Sequence, residues 1–200
     1  MKSLLAGSLA LAVTSIASAD VYTWDSFMFA DGGPNYATSS DASMSSATLY
    51  NFGSGAIVSG SGNLYGMGGA LNIHTYVNTF MDVESLSVEM KGIGSAFNTY
   101  DALLAYTTTD GQSYYFDTFG PSASYTSEVA GEGFGAYEIM NWSFDLSSVE
   151  GTISSLGFLI QSYGPHASLD YMTMDITMVP APGALAILGL AGIASRRRRN

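Results

Sequence analysis

The chain has 200 residues, 47% of them hydrophobic, 12% charged and none of them cysteine, which is enough for one ordinary domain and excludes disulfides, thiolate metal ligands and a thiol nucleophile. Lys2 and the four terminal arginines lie at the two ends, so the region from 20 to 178 has only Lys91 against all seventeen acidic residues and a net charge of −16. Such a surface repels phosphate backbones, which argues against nucleic acid as a partner and is compatible with high salt, divalent cations or solubility outside the cell.

The first nineteen residues have the pattern of a signal peptide. Met1-Lys2 gives a positive start, Ser3 to Ile16 is apolar, and Ala17-Ser18-Ala19 fits the small-x-small cleavage pattern. An amphipathic core helix is the alternative, but no charged face exists between Ser3 and Ala19. We expect signal peptidase to cleave after Ala19 and leave Asp20 as the first residue.

The first half of the remaining chain predicts short strands separated by turn residues. Val21–Phe29 is rich in aromatic and β-branched residues and ends at the turn sequence Asp31-Gly32-Gly33-Pro34. The serine-rich stretch 36–47 predicts a loop or a weak edge strand. Two short strands are expected at 47–52 and 56–59, within a glycine-rich region that can bend at several points.

Alternating polarity predicts longer strands in the second half. Leu71, Ile73, Thr75 and Val77 share one face of a strand, which leaves Asn72, His74 and Tyr76 on the polar face. Asp110-Gly111, between 102–107 and 112–119, predicts a hairpin. The same alternation predicts inward faces for Leu86, Val88 and Met90, for Trp142, Phe144 and Leu146, for Leu156, Phe158 and Ile160, and for Met172, Met174, Ile176 and Met178.

No segment between 20 and 178 has sustained helical periodicity, so this region predicts a single all-β domain, an antiparallel β-sandwich of eight to ten strands. The rhythm of its last strands, ending in Leu169-Asp-Tyr-Met-Thr-Met-Asp175, resembles the closing strands of jelly-roll domains related to carbohydrate-binding modules. This resemblance implies a jelly-roll-like topology and identifies no binding residue.

The sequence has no recognisable catalytic constellation. His74 and His166 lack the spacing of metal ligands and are interpreted as solvated or satisfied bystanders. No Gly-x-Ser-x-Gly elbow is present. A glycosidase needs only two facing carboxylates, and the candidates are Glu84, Glu89, Glu128, Glu132 and Glu138. The glycine-rich stretch from Glu128 to Glu138 is interpreted as a mobile, solvated acidic loop.

Calcium and sugars are the ligands that the composition allows. Asp25 or Asp31 could meet Asp170 or Asp175 and supply oxygen ligands for Ca²⁺, although no Asp-x-Asp-x-Asp-Gly loop is present. Flat rings stack on sugar faces, and the tyrosines considered as such a platform are Tyr114, Tyr115, Tyr163 and Tyr171. Ordinary sheet surface or core is the alternative for these four.

The last twenty-two residues, 179–200, form a tripartite tail. Val179-Pro180-Ala181-Pro182 is followed by uncharged residues from Ala184 to Ala194 and by the cluster Arg196, Arg197, Arg198 and Arg199. The apolar run predicts a short membrane helix, and the arginines predict that transfer stops with them on the cytoplasmic side. Such a helix spans about 18 Å, against a hydrocarbon core of about 30 Å, so it suits transient residence better than a permanent weak anchor, which is the alternative.

This order of elements resembles the PEP-CTERM sorting signal of exported bacterial proteins, with Ala181 where the family has a glutamate. The resemblance implies processing by an exosortase-like membrane protease, passage through the inner membrane, and a final place at the cell surface or in the extracellular matrix. It also links the chain to bacteria that produce exopolysaccharide.

We therefore expect an exported, non-catalytic surface or matrix protein that can hold polysaccharide. A structural envelope module without a ligand and a secreted glycan-active enzyme remain the alternatives.

Overall fold

The computed structural model describes residues 18–39, 47–93, 97–117, 123–129 and 137–179, and these are all-β apart from one 3-10 turn at Thr99–Asp101. Fourteen strands are present in this part of the chain. They are β1 (Ser18–Trp24), β2 (Asn35–Tyr36), β3 (Thr38–Ser39), β4 (Thr48–Asn51), β5 (Ile57–Val58), β6 (Leu64–Tyr65), β7 (Asn72–Met81), β8 (Val83–Gly92), β9 (Leu103–Thr108), β10 (Ser113–Asp117), β11 (Ala123–Val129), β12 (Glu138–Asp145), β13 (Ile153–Gln161) and β14 (Ser168–Met178).

The strands form two antiparallel sheets. The larger sheet has eight strands in the order β11-β12-β8-β14-β1-β3, with β6 pairing β14 and β5 pairing β6. The smaller sheet has six strands in the order β10-β9-β13-β7-β4-β2. Consecutive strands are often in different sheets, so most of the architecture depends on pairing between distant parts of the chain.

A shared apolar core lies between the sheets. Trp142 and Phe144 on β12 contact Phe158 on β13, with ring centroids 5.0 and 6.3 Å apart. All three side chains are at most 1% exposed. Contact between the inner faces of two antiparallel sheets gives a sandwich-like arrangement in which alternate residues of each strand are buried.

The inward faces predicted from alternation are confirmed in all the long strands. Leu86, Val88 and Met90 on β8 are at most 1% exposed, as are Ile73 and Val77 on β7. The inward residues of β14, namely Met172, Met174, Ile176 and Met178, are at most 2% exposed.

The Asp110-Gly111 hairpin is also confirmed. β9 and β10 pair from Thr107 with Ser113 to Leu103 with Asp117, and Gly111 has φ of 83°, a left-handed conformation that glycine adopts without steric cost. Asp110 accepts hydrogen bonds from the Thr108 hydroxyl and from Gln112 N, which keep the pKa of its carboxyl below the ordinary value.

Two boundaries differ from the prediction. The first strand ends at Trp24 rather than Phe29, because Met28 N and Phe29 N donate to the side-chain Oδ1 of buried Asn35, at 2.8 and 3.0 Å, instead of to a neighbouring strand. Glu128 and Glu138, predicted to bound an acidic loop, lie within β11 and β12. Within the stretch 36–47, interpreted as a loop or a weak edge strand, the short strands β2 and β3 each lie at the edge of a sheet, which confirms the edge-strand alternative there.

Residues Ala19–Val179 form one compact unit. β1 begins at Ser18, two residues before the predicted mature N-terminus at Asp20. The rest of the predicted signal peptide and the predicted helix at 184–194 lie outside the described residues. Within the described ranges, no helix is both long enough and apolar enough to span a bilayer.

Candidate functional site

A group of aromatic side chains lies on the outer face of the six-stranded sheet. β4 and β7 pair with Tyr50 opposite His74 and Thr48 opposite Tyr76. Because alternate residues of a strand face opposite sides, the inward positions of β4 and β7 enter the core while Tyr50, His74 and Tyr76 face outward. Phe52 follows directly after β4. We call Tyr50, Phe52, His74 and Tyr76 the aromatic strip.

The four rings of the strip contact one another. Tyr50 and Phe52 stack at 10° with centroids 5.5 Å apart, and Phe52 meets His74 edge to face at 4.9 Å. Tyr76 lies 5.9 Å from Tyr50 and 6.4 Å from His74. These separations are typical of favourable aromatic pairs, so the strip is a packed surface and not four independent side chains.

The strip is nevertheless open to solvent. Phe52 is 53% exposed and Tyr76 is 44% exposed, whereas Tyr50 and His74 are half-buried. Single exposed apolar residues are ordinary, but a contiguous cluster of large ones marks an interaction surface.

Hydrogen bonds orient the polar atoms of the strip. His74 Nε2 lies 2.9 Å from Asn72 Oδ1, and His74 Nδ1 lies 3.4 Å from the Tyr76 hydroxyl. Partial burial lowers the pKa of His74, which favours the neutral ring. Since Asn72 Oδ1 can only accept, Nε2 carries the proton of the neutral ring and Nδ1 accepts from Tyr76.

Asn51 supports the strip from beneath. This side chain is 1% exposed, and its Oδ1 accepts from Gly53 N at 3.0 Å and from Asn72 N at 2.8 Å. Its Nδ2 donates to Ala30 O at 2.8 Å. Asn51 therefore ties the chain on either side of Phe52 to the start of β7, so the strip lies on a fixed backbone.

A second, polar depression lies on the outer face of the eight-stranded sheet. It has a volume of about 220 Å³ and is lined by Glu89, Asn141, Thr173 and Asp175. The Tyr171 hydroxyl donates to Glu89 Oε1 at 2.6 Å. Partial burial, this hydrogen bond and the negative charges of Glu89 and Asp170 raise the pKa of Tyr171 to about 12.

The predicted carboxylate candidates are spread over the eight-stranded sheet. Glu84 and Glu89 lie on β8, and Glu128 and Glu138 lie on β11 and β12. Glu132 lies outside the described residues. Glu89 shares the polar depression with Asp175, which the sequence proposed as a calcium ligand and not as a partner of Glu89.

Two of the four aspartates considered as calcium ligands, Asp31 and Asp170, have their carboxylates in contact with other residues of the chain. Asp31 accepts from Asn51 Nδ2 and Gly55 N, each at 3.2 Å. Asp170 forms an ion pair with Lys91 at 2.7 Å, and Lys91 also lies 5.5 Å from the centre of the Tyr137 ring. Among the described residues, no three His, Asp or Glu side chains come together as a metal-binding group.

The four tyrosines considered as a sugar-binding platform do not come together on one sheet. Tyr171 lies on β14 of the eight-stranded sheet, whereas Tyr114 and Tyr115 belong to β10 of the six-stranded sheet. The side chains of Tyr114 and Tyr115 lie outside the described part of the structure. Tyr163 follows β13 and donates to Asn98 Oδ1 at 2.9 Å.

His166 is a satisfied histidine in a turn. Its Nδ1 lies 2.7 Å from the Tyr65 hydroxyl, and its φ of 72° is left-handed. His74 is also satisfied, but it is part of the strip and not an isolated bystander.

Most of the predicted sorting and cleavage residues lie outside the described ranges. These are Ala17, Pro180, Ala181, Pro182 and Arg196 to Arg199. Ala19 lies in β1, and Val179 N donates to Asp82 O at 2.8 Å. The sequence matches no protein-family model and no curated protein.

Proposed function

We propose that this chain is an exported, non-catalytic surface or matrix protein that holds uncharged polysaccharide on the aromatic strip. The observation that carries the proposal is the contact of four aromatic rings on a solvent-exposed sheet face, with Phe52 and Tyr76 about half exposed. Aromatic rings offer broad, rigid apolar faces next to polar edges, which suits the apolar faces and hydroxyl rims of sugars.

The charge of the chain favours an uncharged glycan. The region from 20 to 178 has a net charge of −16, so phosphorylated, sulfated or uronic-acid polymers are repelled by the overall charge of the domain. Arg and Lys are the usual clamps for anionic groups. The basic residue Lys91 is already paired with Asp170, on the opposite sheet from the strip.

The two ends of the chain complete the proposal. Residues 1–19 act as a signal peptide, and 179–200 act as a PEP-CTERM-like sorting tail read by an exosortase-like protease during transit through the inner membrane. The exported domain is a jelly-roll-like sandwich. Mass spectrometry of the surface form tests this part, since intact Arg196 to Arg199 on mature extracellular protein would contradict processing.

Binding to soluble polysaccharides, measured by calorimetry and affinity electrophoresis with and without calcium, tests the function. We expect neutral polymers to bind and polyanionic ones not to bind. Replacing Tyr76 or Phe52 with alanine removes a central aromatic contact and should weaken binding at least about tenfold. Both side chains are substantially exposed, so the variants should stay folded and lose only about 1 kcal/mol of stability with their aromatic contacts, which lowers the melting temperature by a few degrees.

Tyr65→Ala is the matched control, because it removes a half-buried tyrosine from the eight-stranded sheet. An equal loss of binding in this variant would contradict the assignment to the strip. No binding under any condition would favour a structural module without a ligand.

The alternative of a glycan-active enzyme would place its two catalytic carboxylates, Glu89 and Asp175, in the polar depression. Two carboxylates across a sugar are the minimum for glycoside hydrolysis. Turnover of a neutral glycan that is abolished by Glu89→Gln and unaffected by Tyr76→Ala would replace our proposal with this alternative.

A further inference from the structure

Two shallow depressions next to the aromatic strip lie side by side along β13. One has a volume of about 330 Å³, and the other about 170 Å³. Leu159 lines both, so it lies at the boundary between them. His74 borders the first depression and Tyr76 borders the second. We call the two adjacent depressions together the β13 groove, and the β7 part of the strip lies along one side of it.

Small residues keep the groove open. Gly157 and Ala105 are paired across β13 and β9 and both line the groove. A Cβ atom at Gly157 would lie 2.7 Å from Thr75 O, which is a backbone atom that cannot move aside easily. The close approach of β7 to β13 therefore requires glycine at this outward position, and the groove lacks a side chain there as a direct result.

The groove is long compared with a single sugar. Gln161 lines one end and Ser155 lines the other. Six residue steps of about 3.3 Å separate these positions, which gives about 20 Å along the strand. That length is several times the width of one sugar ring.

We propose that the β13 groove binds an internal segment of an extended, uncharged glycan chain that runs along β13, with several sugars in contact at once. This inference rests on the proposed function and adds the mode of binding. Shallow depressions that lie side by side along a strand admit the middle of a polymer, whereas a closed pit would select a chain end or a single sugar.

The lining has the chemistry for neutral hydroxyls. Asn72 and Gln161 supply amides at one end, and Thr107, Ser113 and Ser155 supply hydroxyls at the other. Among the described residues that line the groove, the ionisable groups are Asp101, His74 and two tyrosines, and none is a lysine or an arginine. This set can exchange hydrogen bonds with sugar hydroxyls but has no cation to pair with an anionic polymer.

The experiment is calorimetric titration of the full chain with neutral glucan oligosaccharides from the monosaccharide to the hexasaccharide. We expect affinity to rise with each added sugar and then to level off, with about a hundredfold or larger difference between the two ends of the series. Reducing-end modification of the hexasaccharide should change its affinity less than twofold. Equal affinity for the monosaccharide and the hexasaccharide, or loss of binding on end modification, would overturn the inference.

Ala105→Leu fills the groove without adding an aromatic ring, and Ser143→Leu on the exposed face of β12 is its matched control. We expect Ala105→Leu to weaken hexasaccharide binding at least about tenfold while Ser143→Leu changes nothing. Unchanged binding in a folded Ala105→Leu protein would overturn the groove and leave the strip intact. If no glycan binds to the wild-type protein, the proposed function itself fails. Analytical sedimentation of the same proteins tests whether the groove is instead occupied by a second copy of the chain. A dimer that forms in the wild type and is abolished by Ala105→Leu would assign the groove to that second copy.

Discussion

Thr75→Val tests how β7 and β13 are held together beneath the aromatic strip. Thr75 is fully buried, and its Oγ1 accepts from Phe158 N at 2.9 Å and donates to Phe158 O at 3.1 Å. Between the paired residues Leu156–Val77 and Leu159–His74, the Thr75 hydroxyl therefore links β7 to the backbone of β13. Valine has nearly the same shape but can neither donate nor accept there.

The expected cost follows from the two backbone groups that lose a partner. Each orphaned buried group costs about 1–3 kcal/mol, so the loss of both partners in Thr75→Val should lower the free energy of unfolding by about 2–6 kcal/mol. The higher strand preference of valine offsets only part of this loss, since the whole scale spans about 1 kcal/mol. A loss of this size is a large share of the about 5–15 kcal/mol that stabilises a typical domain.

Thr79→Val is the matched control on the same strand. Thr79 is 7% exposed, and its hydroxyl donates one hydrogen bond, to Ile153 O at 2.5 Å. We expect a smaller loss of about 1–2 kcal/mol. Urea unfolding, followed by the fluorescence of buried Trp24 and Trp142, measures both variants. If Thr75→Val is no more destabilising than Thr79→Val, the Thr75 hydroxyl does not hold the ladder.

Three further predictions concern titratable or strained residues. The pKa of His74 is lowered in the folded protein, so as the pH falls the imidazole is protonated first in the unfolded chain. The free energy of unfolding should therefore fall as the pH drops below about 6.5. Chemical unfolding of His74→Gln between pH 5 and 7 should be less sensitive to acid than that of the wild type, and an identical pH profile would contradict this. The pKa of Tyr171 is raised to about 12, so the stability that its hydroxyl contributes should be present below about pH 10 and lost as the pH rises towards 12. The difference in urea midpoint between the wild type and Tyr171→Phe should shrink over that range. A constant difference would argue against the contact with Glu89. His166 has φ of 72°, where a Cβ atom costs about 1–2 kcal/mol; His166→Gly should therefore be about 1 kcal/mol more stable than His166→Ala by thermal unfolding, and the reverse order would show that the turn relaxes.

The strands themselves were predictable because their burial alternates. From Leu86 to Met90 on β8 and from Met172 to Met178 on β14 every second residue is apolar, and this one pattern indicates both the strand and its buried face. The alternation around His74 also gave its outward face correctly. These features are local, so they depend only on neighbouring residues.

The aromatic strip could not be predicted in the same way. Tyr50 and Phe52 are two residues apart, which indicates a shared face, but their contact with His74 and Tyr76 depends on the pairing of β4 with β7. Pairing between strands separated by twenty residues or more is determined by packing of the whole sheet and leaves no local signal. The four tyrosines considered as a platform do not come together for the same reason, since nothing local assigns β10 and β14 to different sheets.

The position of β14 has a consequence for how the domain folds. This last strand is not at an edge: it lies between β8 and β1 and also pairs with β6. Three strands from the first half of the chain, β1, β6 and β8, can therefore complete their pairing in the eight-stranded sheet only after residues 168–178 have been added. Bringing such distant segments together costs a large loss of chain entropy before their contacts stabilise the fold. We therefore expect slow, strongly cooperative folding, in milliseconds to seconds. A chain that ends before Ser168 would leave β8 and β1 as unpaired edges, which are prone to aggregate.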